Sequence, residues 1–434
     1  MDPLTIGISA GAALVALAAL GVRIAYAAAL VGVIGLTILM GDLYPAIVAA
    51  GTVPYSKGTS YELSVLPMFI LIGYLAYYAG MTTTSFEAAK RWLGWLPGGL
   101  AIGTIFAVAA FSAVSGASVA AAAVFARVAI PEMLKSGYDR RLAAGVVAAG
   151  STLDSLIPPS VLLVIYGIIV EQSIGDLLIA GFVPGIISAL VYSAIVVVQC
   201  KLNPELGRPI TGYSWRERFE SLPPTAPIWI VILLIFTSML LGWATPTEAG
   251  ALGAFSTLLF AWRHGMSWGQ FRGALLEAAK LTVMIFTIIW GVLIFVRFLG
   301  FANLPLSFAG WIEGLRVHPL LILLAIYAIY LVLGCFMDAI GMMLLTLPIV
   351  FPVVENLGYD PIWFGIIVVK LCGIGLLTPP VGLVAFVVNG VRPDIPLGDV
   401  FRGIWPFLLA DVVTVALLTA FPELVTFVLS FKLR

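Results

Sequence analysis

Two proline pairs set in apolar sequence, Pro158-Pro159 and Pro379-Pro380, mark where this chain could do chemistry. Each stands among small and hydroxylated residues, in the stretches Gly150 to Ser160 and Gly373 to Gly382. Proline removes a backbone donor and breaks the helical ladder, and glycine permits tight turns. The carbonyls so released can replace the water around a small hard cation. Two further stretches, Ser112 to Ser118 and Gly334 to Gly341, have the same Ser/Gly character. Helix N-termini opening on the same space favour an anionic group, so carbonyls for a cation and amides for an anion, in pairs, imply a coupled transport site. Three ionisable residues lie in or beside these stretches: Asp154, Asp338 and Lys370. A charge in an apolar segment is costly unless compensated, which makes each a functional candidate. Asp338, at a hairpin tip, is expected to be buried with a compensating partner, and Asp154 either does likewise or pairs with a basic neighbour. Lys370 either holds a carboxylate of the cargo or neutralises Asp154 or Asp338.

Such stretches must be positioned by helices in a bilayer. Of 434 residues, 62% are hydrophobic and 10% charged, against about 25% charged in soluble chains. Apolar runs recur from end to end, at lengths that cross a bilayer at about 1.5 Å per residue. Non-helical backbone at that depth is tolerated only where it is buried in protein or lines a cavity. Lys plus Arg equals Asp plus Glu at 22 each, so nothing points to nucleic acid or another polyanion. Cys200, Cys335 and Cys372 show no paired spacing, and His264 and His318 stand apart, which argues against a metal or haem centre. The first twenty residues lack a basic region and a cleavage site and read as a retained first span. No cluster or cofactor motif suggests an enzyme.

The runs fall at 4–41 (two spans, interrupted at Gly21 to Arg23), 62–80, 98–134, 141–170, 177–199, then 226–242, 247–262, 280–300, 318–357, 361–391 and 403–431, with a polar loop at 200–224. A single shift of 221 positions places Pro131 on Pro352, Gly137-Tyr138-Asp139 on Gly358-Tyr359-Asp360 and Pro158-Pro159 on Pro379-Pro380. Each repeat then holds five spans and one hairpin. Five is odd, so the second repeat is expected to enter the membrane upside down. Orienting the N-terminus outward gathers most basic residues on the inside, among them Lys90, Arg140, Arg141 and Arg402. The runs divide the chain into 1–97, 98–200, a loop at 201–224, 225–317 and 318–434.

At this level of detail the chain resembles the large membrane subunit (M, or DctM-like) of tripartite ATP-independent periplasmic (TRAP) transporters. The matching segments run in order along nearly the whole chain: LPMFILIGYL from Leu66, FSAVSGASVAAAAVFARVAIPEMLKSGYD from Phe111, GSTLDSLIPPS from Gly150, SIGDLLIAGFVPG from Ser173, TPTEAG from Thr245, GCFMDAIGMMLLTLPIVFPVVENLGYDP from Gly334 and IGLLTPPVGL from Ile374. The resemblance implies an all-α polytopic membrane protein with the ion-transporter superfamily elevator fold: inverted repeats, two re-entrant hairpins and two broken helices. It implies scaffold helices in 1–97 and 225–317, a cytoplasmic loop at 201–224, and a transport unit from 98–200 and 318–434. It implies sodium-driven import of a small organic anion in the bacterial inner membrane, with Na+ as coupling ion and no cofactor. It also implies a separate small membrane subunit (Q, or DctQ-like) and a periplasmic substrate-binding protein (P, or DctP-like). One sodium site would use Ser115 with backbone of Asp154, Ile157 and Pro159; the other would use Gly334, Asp338, Thr378 and Pro380. Ala117, Ser118, Ser160, Lys370 and Gly382 would face the substrate. Three positions depart from the family's pattern. Ala117 stands where a serine is usual, Asp154 where glycine is usual, and Lys370 where a polar Asn is common. A stand-alone carboxylate symporter or exchanger of the same superfamily is the alternative.

Overall fold

The structure, a computed structural model, describes residues 2–58, 60–115, 118–210, 212–314, 317–335, 337–380 and 382–431; these are overwhelmingly helical and contain no strand. The first part comprises α1 (Pro3–Ala19), α2 (Ile24–Met40), α3 (Leu43–Gly58), α4 (Val65–Tyr78) and α5 (Met81–Leu93). A helical pair follows, α6 (Gly99–Ser115) and α7 (Ser118–Lys135), then α8 (Arg140–Ser151), a 3-10 turn at Thr152–Ser155, α9 (Val161–Val170) and α10 (Ile174–Leu202). After the polar loop and the short α11 (Trp215–Glu220) come α12 (Ala226–Leu240), α13 (Pro246–Arg263), α14 (Trp268–Phe301) and α15 (Leu304–Gly314). The chain closes with the pair α16 (Pro319–Gly334) and α17 (Ala339–Asn356), then α18 (Pro361–Leu377), α19 (Leu383–Val391), α20 (Leu397–Ala420) and α21 (Glu423–Thr426).

Six helical stretches among the described residues are long and apolar enough to cross a membrane: Tyr61–Tyr78, Ile174–Leu202, Trp215–Leu240, Trp268–Phe301, Ala339–Asn356 and Leu397–Ala420. Shorter apolar helices precede the first of these, Pro3–Leu17 and Ile24–Met40, and others lie between the long stretches where the hairpins and breaks interrupt the chain.

Local sequence explains the boundaries. The repeated Gly-Tyr-Asp triplet is a stop and a start. Gly137 and Gly358 end α7 and α17 at φ +78° and +80°, a left-handed conformation that glycine adopts without a Cβ clash. Two residues on, Asp139 and Asp360 cap α8 and α18, accepting from Arg141 N–H at 2.7 Å and Trp363 N–H at 2.8 Å. The repeat shift lays α7, residues 118–135, on α17, residues 339–356, end for end. Capping boxes open α13 (Thr245 with Glu248) and α14 (Ser267 with Gln270).

Several boundaries differ from the hydropathy reading. Helices α3, α5 and α15 occupy residues assigned to loops; α5 carries polar residues at helical spacing on one side, so a hydropathy window averages it away. The last span ends at Ala420 rather than 431, because Phe421-Pro422 breaks it and α21 starts anew. The 280–300 run is the apolar end of α14, 34 residues long.

One ion cluster brings together basic residues that the charge reading places on one side. Buried Asp399, at the start of α20, meets Arg140 at 2.6 Å, Arg141 at 3.0 Å and Arg402 at 3.6 Å, so three guanidiniums assigned to one side do gather there. Lys90 of α5 is likewise bonded to Glu132 of α7.

Candidate functional site

The two broken helices meet. Tyr166 of α9 donates its hydroxyl to the Pro361 carbonyl at the head of α18, at 2.7 Å. Gly373 of α18 lies so near the first break that a Cβ there would stand 3.2 Å from Ser155 Oγ. Both proline pairs have a cis peptide bond.

The first break is wholly enclosed, with every residue from Ser151 to Ser160 buried. Its side chains are used locally. Ser155 donates to the Thr152 carbonyl at 2.7 Å, and Ser160 donates to the Ser155 carbonyl at 2.6 Å while capping α9 through Leu163 N–H. Asp154, 3% exposed, accepts the Ser118 hydroxyl at 2.6 Å and also draws on the Ser118 and Ser155 N–H groups. Its carboxylate therefore caps α7 from a different part of the chain and does not pair with a basic neighbour. A helix N-terminus with unsatisfied N–H groups is a low-energy place for a carboxylate. Ser118, Asp154, Ile157, Pro159 and Ser160 are all buried, and the Ser118–Asp154 bond ties the start of α7 to the first break. Ser115 closes α6, but its side chain, with the whole of Ala117, lies outside the described residues.

The second break is more open. Thr378 ends α18 in an extended conformation, half-buried, its hydroxyl donating to the Ile374 carbonyl at 2.7 Å. Pro380 is exposed, while Gly382 is buried at φ +53° and begins α19 without a side-chain cap. Gly334, at the end of α16, packs backbone to backbone on Gly375: a Cβ on Gly375 would sit 2.6 Å from the Gly334 Cα. Overpacking of this kind costs about 1–3 kcal/mol. Gly375→Ala is therefore expected to lower the thermal stability of the purified protein, whereas Gly390→Ala, with open space around it, is not.

Two expectations about charge are corrected. Asp338 is exposed rather than buried; it caps α17, accepting from Gly341 N–H at 3.0 Å, and that local bond removes the need for a buried counter-charge. Lys370 pairs with neither Asp154 nor Asp338. Its ammonium meets Asp411 of α20 at 2.5 Å, with both side chains essentially inaccessible. Tyr192 of α10 completes the group, donating to the same Asp411 oxygen at 2.6 Å and presenting its ring 5.2 Å from the ammonium. Sequence reading passed over Asp411 and Tyr192 because neither belongs to a Ser/Gly/Pro-rich stretch. The available signal was charge: Asp411 is an acid in the middle of a long apolar span, as Lys370 is a base.

A cavity of about 750 Å³, lined by both polar and apolar residues, separates the start of α10 from the residues before α4 and α13. Glu62, Glu171, Gln172, Thr245 and Thr247 line it.

Paired helices, two interrupted helices meeting at their breaks and six stretches able to cross a membrane define a polytopic, all-helical architecture. Two solved structures share the fold: the YdaH transporter of Alcanivorax borkumensis (TM-score 0.60, 15% identity, 98% of this chain and 100% of that one) and MtrF of Neisseria gonorrhoeae (TM-score 0.55, 14% identity, 97% and 95%). Residues 12–424 match the family described as the tripartite ATP-independent periplasmic transporter, DctM component, and the chain belongs to that family. Relatives include the C4-dicarboxylate TRAP transporter large permease protein DctM of Pseudomonas aeruginosa, 34% identical over 85% of this chain and 86% of that protein. The sialic acid TRAP transporter large permease protein SiaM of Vibrio cholerae is 32% identical over 84% and 85%. The isethionate TRAP transporter permease protein DctMQ of Oleidesulfovibrio alaskensis is 31% identical over 90% of this chain but 63% of its own length.

Proposed function

We propose that this chain imports a small organic anion, a carboxylate or related acid, across the bacterial inner membrane with sodium ions, receiving it from a periplasmic binding protein and working beside a small membrane subunit. The carrying observation is the pair of helix breaks at equivalent repeat positions, each preceded by a helical pair and packed against the other. The relatives' names favour the anion class: C4-dicarboxylate, sialic acid and isethionate are all acids. One sodium ion is held by the first break, by carbonyls of Asp154, Ile157 and Pro159 with Ser115. The other is held by the second, through Gly334, Asp338, Thr378 and Pro380. Substrate lies between the hairpins, near Ala117, Ser118, Ser160 and Gly382. Lys370, buried and paired with Asp411, lies apart from it.

The two repeats are inverted, and the hairpins re-enter on opposite faces. Residues 98–200 and 318–434 form the unit that carries the site, sliding as an elevator against a scaffold of 1–97 and 225–317, with 201–224 a cytoplasmic loop. The cavity lies along that boundary. Reconstituted with both partners in proteoliposomes, the chain is expected to take up its anion as a saturating function of sodium with a Hill coefficient above one. Pro159→Ala and Thr378→Ala should raise the sodium requirement more than they lower folded yield. Uptake unaffected by omission of the binding protein would turn the assignment to a stand-alone symporter or exchanger.

A further inference from the structure

We propose that Lys370, Asp411 and Tyr192 form a positioning device for the first break, clamping the turn Thr152–Ser155 in the shape its ion requires; this rests on the sodium reading above. The three come from α18, α20 and α10, so one contact group joins the second broken helix to the last long helix of each repeat. The group also reaches the break itself. The Thr152 hydroxyl lies against the Tyr192 oxygen while donating to the Ala149 carbonyl at 2.8 Å. The same helices press on the break from two sides. A Cβ on Gly373 of α18 would stand 3.2 Å from Ser155 Oγ, and one on Gly181 of α10 would stand 2.4 Å from the Leu156 carbonyl oxygen.

Repeat symmetry separates this role from ordinary packing. The positions equivalent to Lys370, Asp411 and Tyr192 are Ala149, Leu190 and Val413, and Thr152 corresponds to Gly373. Among the described residues the second break has no such cluster, and its Thr378 and Pro380 are half-buried and exposed where the whole first break is buried. A charged pair in an apolar interior is costly, and a pair retained only for stability could be replaced by apolar side chains at little loss. Held at one break only, it makes the two breaks unequal. The first is rigid and preset for its ion; the second is free to change shape as the site opens and closes.

The test is a sodium titration of the purified full chain in lipid nanodiscs, following thermal stability as sodium chloride replaces choline chloride at constant ionic strength. Tyr192→Phe keeps the ring and the ion pair and removes only the hydroxyl between Asp411 and Thr152. It is expected to raise the sodium concentration for half-maximal stabilisation roughly threefold or more, about 0.65 kcal/mol of binding. Tyr327→Phe, which removes a phenol bonded to Thr419 at 3.0 Å, should leave it unchanged. The neutral pair Lys370→Met with Asp411→Leu should shift sodium the same way, and the exchanged pair Lys370→Asp with Asp411→Lys should recover at least part of it. Unchanged sodium dependence in Tyr192→Phe, or in the neutral pair should Tyr192→Phe not fold, overturns the device and leaves the sodium reading intact. Wild-type protein indifferent to sodium removes both.

Discussion

Lys370→Met alone is expected to destabilise the chain by about 3–5 kcal/mol, the cost of leaving one member of a buried ion pair without its partner. Asp411 would then be a carboxylate with the Tyr192 hydroxyl as its remaining donor, in surroundings where its side chain is 1% exposed. A carboxylate left without its counter-charge in an apolar interior opposes folding. Lys370→Met combined with Asp411→Leu removes both charges at similar volume and should return stability to within about 1 kcal/mol of wild type, since neutral replacements of buried pairs are often tolerated. Thermal unfolding of the two single variants and the double one, purified under one condition, gives the coupling. Additive losses would show that the contact carries no pairing energy.

The second large effect is on motion. Ile24 opens α2, in the proposed scaffold, and Gly341 lies in α17, in the proposed moving unit. A Cβ on Gly341 would stand 3.2 Å from Ile24 Cγ2, so side chains at the two positions are in contact, the first requirement for a cysteine pair to be oxidised. With Cys200, Cys335 and Cys372 replaced by Ala, the variant Ile24→Cys with Gly341→Cys is expected to lose transport roughly tenfold or more on oxidation, at least about 1.4 kcal/mol in the limiting step. Reductant should restore it. Normal uptake by fully cross-linked protein would mean that these two helices do not move past each other.

Much of this was legible in the sequence because the relevant signals are local. Pro-Pro in an apolar run reads as a break, and helices are interrupted at 158–159 and 379–380; the Gly-Tyr-Asp triplets that marked the repeat at 137–139 and 358–360 prove in the structure to end one helix and cap the next. The amphipathic α5 was hidden because hydropathy averages over its two faces. Pairing between distant segments was not legible at all. Asp154 and Ser118 are 36 positions apart, and Lys370 and Asp411 lie on separate helices, so types and spacing identified charges in need of partners without saying which. Asp338 misled for a related reason: a carboxylate at a hairpin tip suggests burial, whereas a helix cap needs only local N–H groups and can remain exposed.

The central claim is that movement of the anion and of sodium is one event. It is tested most directly by following labelled sodium and labelled anion together into proteoliposomes that hold the chain with its two partners, at a clamped membrane potential. The account predicts sodium entry that depends on the anion, in a fixed ratio above one, with no accumulation when choline replaces sodium. Equal accumulation in sodium-free buffer under a proton gradient would contradict it.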